Sequence, residues 1–156
     1  MAVGEKKLKK RFFNFYYSLS SCQRSLIFSA IQKATGMQTI NVLQPIRSHY
    51  DKPLIISSGF RCAQLCIEIG SSVNSQHVAD NEAAAADFEI PGVDNRELAR
   101  WIRDNLEVDQ GILEFYKDGE PSSGWIHCSY SRNSNRGQWL RAQRIDGKVN
   151  YQPWLE

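Results

Sequence analysis

Apolar residues recur at three- and four-residue steps through the first quarter of the chain. They are Phe12, Tyr16, Leu19, Cys22, Leu26, Ala30 and Ala34. This spacing puts them on one face of a helix over residues 12–35, which we expect Gly36 to end. A second helix is predicted over residues 39–50, with Pro45 near its first turn or at a kink.

Shorter patterns follow along the rest of the chain. Strands are predicted at residues 54–57, 84–90, 111–116 and 125–130. Helices are predicted at residues 61–69, ended by Gly70, and at residues 95–105. The pair Asp146-Gly147 lies between two polar–apolar runs and predicts a tight hairpin turn. We therefore expect an α+β fold, with N-terminal helices packed on a mainly antiparallel sheet.

The composition is that of one globular domain, with 156 residues, 42% hydrophobic and 23% charged. We expect a single domain over residues 1–156, made of a helical segment (1–38), a motif-bearing core (39–130) and a C-terminal hairpin (131–156). No apolar run approaches the roughly 20 residues of a membrane-spanning helix. The net charge of +2 argues against a nucleic-acid partner. A monomer is expected.

Charge is unevenly distributed along the chain. Of the 17 carboxylates, 12 lie between Asp80 and Glu120, whereas basic residues cluster near both ends. Such a distribution suits a cation site on a chain that approaches an anionic surface, although a solvated mixture of charge is the simpler interpretation.

The four cysteines have no paired CxxC spacing, so a cysteine zinc site has little support. They are Cys22, Cys62, Cys66 and Cys128. We interpret them as packing residues and predict free thiols.

The segment Leu19-Ser20-Ser21-Cys22 follows a basic stretch and resembles a lipidation box. The helical pattern runs straight through it, so we expect an amphipathic helix and no signal peptide. Lipoprotein anchoring at Cys22 is the alternative.

Three predicted strands each carry a polar side chain where a core residue would be expected. They are Asp87, Glu114 and His127. Side chains alternate between the faces of a strand, so apolar neighbours such as Phe88 and Ile90 send Asp87 to the opposite face. If the strands are neighbours, the three polar side chains converge beside Trp125 and Tyr116 in a lined cleft.

A histidine in a polar loop completes a possible metal site. A lone loop histidine is more often a surface residue, yet His77 with Asp87 and His127 would form a normal ligand set for catalytic zinc. Glu114 could then take a proton from the attacking water. Arg61 could stabilise the oxyanion or hold a substrate carboxylate.

Five motifs in order resemble those of the M15 zinc peptidases, over about residues 39–130. They are Ser57-Ser58-Gly59-Phe60-Arg61, Asn74-Ser75-Gln76-His77, Ala85-Ala86-Asp87-Phe88, Ile112-Leu113-Glu114-Phe115 and Gly124-Trp125-Ile126-His127. The branch that the chain resembles contains peptidoglycan D-Ala-D-Ala carboxypeptidases and phage peptidoglycan endopeptidases.

The resemblance implies the hedgehog/DD-peptidase fold, one zinc ion per chain and hydrolysis of peptide bonds in peptidoglycan stem peptides. It implies that His77, Asp87 and His127 bind zinc and that Arg61 faces the substrate or oxyanion. It also implies that Ser75 supports the first histidine. The expected substrate contacts are Ser75, Gln76, Trp125 and Tyr116.

The sequence departs from the family pattern at two places. Nine residues separate His77 from Asp87 where the family usually has six, and Asp80 falls where the histidine would lie if counted back from Asp87. We favour His77, because Ser75-Gln76-His77 matches as a unit, and keep Asp80 as the alternative ligand. Many relatives also carry an acid or histidine at the positions of Gly124 and Trp125, so the base is assigned to Glu114.

Three functions follow from these patterns. The leading one is a phage-type (endolysin) peptidase, made in the cytoplasm and acting on the cell wall. The second is a catalytically inactive peptidoglycan-binding or virion structural protein of the same fold, favoured by the altered loop. The third is a lipid-anchored periplasmic carboxypeptidase, which requires lipidation of Cys22.

Overall fold

The computed structural model describes residues 36–78 and 83–154. These residues form an α+β fold built on one six-stranded sheet. The elements in chain order are a π-helical turn at Thr39–Leu43, α1 at Gln44–Tyr50, β1 at Ile55–Ser58, α2 at Ala63–Ile69, β2 at Ala83–Glu89, α3 at Asn95–Asn105, β3 at Gln110–Glu114, β4 at Trp125–Ser131, β5 at Gln138–Ile145 and β6 at Lys148–Pro153.

The strands lie side by side in the order β1-β2-β4-β3-β5-β6. Every neighbouring pair is antiparallel except β3 and β5, so the sheet is mixed but mainly antiparallel, as predicted. The position of β4 between β2 and β3 decides the site, because it makes neighbours of the strands that carry Asp87, His127 and Glu114.

One face of the sheet is the core face. Phe88, Leu113 and Ile126 are fully buried there and pack with α3, which buries Leu98 and Ile102. Helix α3 begins where predicted, because Asp94 caps it: its Oδ1 accepts from the backbone N–H of Arg96 at 2.7 Å. The opposite face is therefore left for polar side chains.

Gly36, predicted to end the first helix, is itself helical. Residues 36–38 are helical and run on through the π-helical turn into α1. Pro45 lies in the first turn of α1, directly after the π-helical turn. The predicted helix over residues 12–35 lies outside the described residues, as does Cys22.

Other local predictions are confirmed. Asp146 and Gly147 both have positive φ (51° and 78°) and join β5 to β6 in a tight hairpin. Cys62, Cys66 and Cys128 are free cysteines, and the sulfur of Cys62 caps α2 by accepting from the N–H of Leu65. Within the described ranges, no helix has the length and apolar character needed to cross a membrane.

The end of β3 is fixed by close backbone contact with Gly124. Phe115 has a positive φ of 54°, which ends the regular alternation of the strand. Gly124, with φ of 67°, lies against this bend, and a Cβ atom there would overlap the carbonyl oxygen of Glu114 and lie 2.7 Å from the Tyr116 nitrogen. Position 124 therefore has no room for the side chain of an acid or a histidine.

We predict that Gly124→Ala lowers the free energy of unfolding by about 2–4 kcal/mol, from left-handed strain plus the backbone clash. Gly119→Ala is the matched control, because Gly119 also has positive φ but open space around it. It should cost only about 1 kcal/mol. Urea unfolding of the two variants measures this, and equal losses would contradict the clash.

Candidate active site

The sheet register brings two of the candidate ligands face to face. Asp87 on β2 lies directly opposite His127 on β4, and Ile112 on β3 flanks His127 from the other side. Glu114 lies opposite Trp125, two residues from His127 along β4, and therefore on the same face. The convergence of Asp87, Glu114 and His127 predicted from alternation is confirmed as geometry.

His77 reaches this face from the loop between α2 and β2. Its backbone carbonyl accepts from the N–H of Arg61 at 2.8 Å, which ties the loop to the segment that follows β1. Its own N–H donates to Ser75 Oγ at 3.3 Å. Ser75 thus supports the first histidine of the site, the role that the resemblance implied.

The three side chains form one buried cluster. His77 Nε2 lies 3.1 Å from Asp87 Oδ1, and His127 Nδ1 lies 2.9 Å from the same oxygen. Their ligand atoms all lie within 4.8 Å of one another. Two ligand atoms bound tetrahedrally to zinc, each about 2.1 Å from the ion, would be about 3.4 Å apart. Small shifts of the three side chains would therefore accommodate the ion.

The outer partners of the two histidines determine which nitrogens face inward. His77 Nδ1 lies 2.8 Å from the carbonyl oxygen of Gly59, and His127 Nε2 lies 2.9 Å from Gln76 Oε1. Both partners can only accept, so these nitrogens carry protons. In neutral imidazoles the inward nitrogens then offer lone pairs to Asp87, so protons or a metal ion must occupy the space between.

This donor set fits a metal ion. Two inward-facing imidazole nitrogens and a carboxylate make a three-ligand set that leaves a fourth position open, as in catalytic zinc sites. The hydrogen bonds to Gly59 and Gln76 supply the outer contacts that orient ligating histidines in such sites. Asp80, the alternative ligand, lies outside the described residues.

Asp87 is held as a carboxylate. Burial on its own would raise the pKa of Asp87, but hydrogen bonds from His127 and His77 outweigh it and hold the pKa well below its ordinary value. Its second oxygen pairs with Arg61 Nη2 at 3.2 Å. Arg61 also donates to Ser58 Oγ at 2.7 Å, so it is fixed against the ligand carboxylate while it borders the cleft.

Glu114 has the opposite environment. Burial, followed by repulsion from Asp87, raises the pKa of Glu114 to about 7, against the opposing charges of His77 and Arg61. A carboxyl group with a pKa near neutrality is suited to exchanging protons with a reacting group at physiological pH. The structure therefore places a candidate base beside the candidate ligands.

The site opens into a cleft of about 530 Å³. Side chains that border it beside the ligands include Arg61, Gln76, Glu114, Trp125, Leu140 and Tyr151. Leu140 and Tyr151 come from the β5–β6 hairpin and were missed by sequence reasoning, which treated that hairpin only as a turn. The negative charges of Glu114 and Asp87 contribute to a raised pKa of Tyr151, after burial, so this phenol is electrostatically coupled to the site.

Two expected substrate contacts need correction. Tyr116 does not line the cleft: the bend at Phe115 turns it into the core, where it is 4% exposed and its hydroxyl donates to Asp94 at 3.1 Å. Gln76 does line the cleft, but its amide is engaged at both ends, by His127 and by Asp109 at 3.0 Å. Asp109 was not among the candidates, and no motif pointed to it.

The sequence of the chain matches the model of the Peptidase M15 family over residues 14–129. Because the match covers well over half of the chain, the protein belongs to the M15 peptidase family, whose members are zinc-dependent metallopeptidases. The family resemblance found in the five motifs is thereby confirmed. No curated protein and no solved structure matches the chain.

The raised pKa of Glu114 predicts a pH-dependent stability of the metal-free protein. Its folded-state pKa of about 7 lies above the ordinary 4.5, so the folded chain binds the proton more tightly and the unfolding free energy falls as pH rises through that window. In wild type we expect the unfolding free energy to fall by about 1–2 kcal/mol, a value lowered to allow for the partial solvent exposure of Glu114. Glu114→Gln should remove this fall.

Urea unfolding at pH 4–8 in the presence of a chelator measures the difference between wild type and Glu114→Gln. Glu107→Gln, at an exposed position, is the control and should keep the wild-type profile. A Glu114→Gln profile parallel to that of wild type would contradict the buried environment of Glu114.

Proposed function

We propose that this protein uses one zinc ion per chain to hydrolyse peptide bonds in peptidoglycan stem peptides. It acts as an endolysin-type endopeptidase or a D,D-carboxypeptidase on a hedgehog/DD-peptidase fold. The observation that carries the proposal is the convergence of two histidine nitrogens and a carboxylate in an open cleft, beside a carboxyl group with a pKa of about 7.

His77, Asp87 and His127 would hold the zinc ion. When bound, zinc supplies Lewis-acid chemistry that activates water and polarises a carbonyl. Glu114 takes the proton from the attacking water and delivers it to the leaving amine. Arg61 borders the same cleft and donates hydrogen bonds to the developing oxyanion or to a substrate carboxylate.

The substrate class follows from the family branch that the motifs resemble and from the shape of the cleft. The cleft is open and combines a cation, Arg61, with the aromatic side chains of Trp125 and Tyr151. A short peptide with a carboxylate suits these surroundings. Whether the product is a free terminal residue or an internal fragment depends on how one end of the cleft is closed. Leu140 and Tyr151 of the β5–β6 hairpin border the cleft.

We propose that the protein works as a monomer, made in the cytoplasm and acting on the cell wall in the manner of phage lytic enzymes. The basic residues near the ends of the chain favour approach to an anionic wall. Neither a nucleic-acid partner nor a membrane span is part of this proposal. Lipid anchoring at Cys22 would instead make it a periplasmic carboxypeptidase.

The decisive variant is Glu114→Gln, which keeps the shape of the side chain and removes the proton acceptor. It should bind zinc like wild type and cleave stem peptides at least about 100-fold more slowly, the low end of the effect of losing a general base. Purified peptidoglycan, digested and analysed by mass spectrometry of the released fragments, gives the rate and the bond cleaved.

Glu107→Gln is the matched control and should cleave at the wild-type rate. A chelator should stop cleavage by wild type, and added zinc should restore it. Unchanged cleavage by Glu114→Gln would contradict the role of Glu114. A wild-type protein that binds zinc and releases no fragment from any peptidoglycan would instead indicate the inactive binding or virion protein.

A further inference from the structure

A chain of hydrogen bonds runs from the protein surface to the outer nitrogen of His127. Arg136 donates two hydrogen bonds of 2.7 Å to Asp109, from Nε to Oδ1 and from Nη2 to Oδ2. Asp109 Oδ2 accepts from the amide nitrogen of Gln76 at 3.0 Å, and Gln76 Oε1 lies 2.9 Å from His127 Nε2. Ser129 Oγ also donates to Asp109, at 3.3 Å.

The direction of every bond in this chain is fixed by Asp109. The carboxylate of Asp109 can only accept, so the NH₂ end of the Gln76 amide must face it. The carbonyl end of Gln76 then faces His127, and an acceptor there requires a proton on Nε2. With Nε2 protonated, only Nδ1 remains to bind a metal, and Nδ1 is the nitrogen that faces Asp87.

We propose that Gln76 and Asp109 are positioning residues that keep the proton on Nε2 of His127 and present Nδ1 to the metal. The role rests on the proposed zinc site, but the state of the Nε2 proton exists with or without the ion. In this role Gln76 contacts the metal ligand His127 and is no longer assigned as a substrate contact. Asp109 lies one residue before β3, so the strand fixes the position of the Asp109 backbone.

The chain of bonds explains two features that packing alone does not. Asp109 keeps a negative charge, because the hydrogen bond from Arg136 outweighs burial and lowers the pKa of Asp109. Gln76 borders the open cleft and could have been left free for a ligand, yet both ends of its amide are bound. Outer partners of this kind typically change metal affinity by about 10–100-fold.

The test compares Gln76→Met, which keeps length and removes hydrogen bonding, with Gln110→Met. Gln110 borders the same cleft, and its side-chain amide donates to Gln138 instead of contacting His127, so Gln110→Met is the matched control. Nitrogen-15 NMR reports which ring nitrogen of His127 is protonated, in metal-free and zinc-loaded protein. Competition with a chelator reports zinc affinity.

In wild type and Gln110→Met we expect a hydrogen-bonded Nε2 proton that exchanges slowly with solvent. In Gln76→Met we expect this proton to exchange rapidly or be lost and zinc affinity to fall by about 10–100-fold.

An unprotonated Nε2 in wild type, or zinc affinity and proton exchange unchanged in Gln76→Met, would overturn the proposal. These outcomes are separate from failure of the proposed function. A protein that binds zinc but cleaves nothing loses the peptidase assignment and keeps the positioning role. If wild type binds no zinc, the exchange rate of the Nε2 proton can still be compared between metal-free wild type and Gln76→Met. That comparison tests whether Gln76 holds the proton.

Discussion

The register between β2 and β4 places Asp87 opposite His127, and the geometry of the site depends on that pairing. A shift of one residue would turn one of the two side chains into the core and expose an apolar neighbour, because side chains alternate along a strand. The core residues Phe88 and Ile126 pair in the same register. Burial of the core and assembly of the candidate metal site therefore impose the same alignment.

The bend that ends β3 explains where the base lies. Gly124 packs directly on the backbone of Glu114 and Tyr116, so neither an acid nor a histidine fits at that position. Glu114 remains on the cleft face, in surroundings that raise its pKa to about 7. The packing of Gly124 excludes a base at that position, while burial and the charge of Asp87 give Glu114 its raised pKa.

Strand alternation was enough to predict that Asp87 and His127 point away from the core, because it depends only on neighbouring residues. The pairing of β2 with β4, which puts them on one face, comes from the structure. Tyr116 was misplaced because a positive φ at Phe115 breaks the alternation, and no sequence signal marks a bend at a non-glycine residue. Asp109 and Tyr151 were missed because their roles come from contacts between distant segments. Such contacts have no local pattern.

The most direct test of the account is anomalous diffraction at the zinc edge from crystals of the zinc-loaded protein. We predict one ion per chain, bonded at about 2.0–2.2 Å to His77 Nε2, an oxygen of Asp87 and His127 Nδ1. Three results would contradict this prediction. The ion could be bound by Asp80 in place of His77, it could be bound through Nε2 of His127, or it could be absent from this cluster.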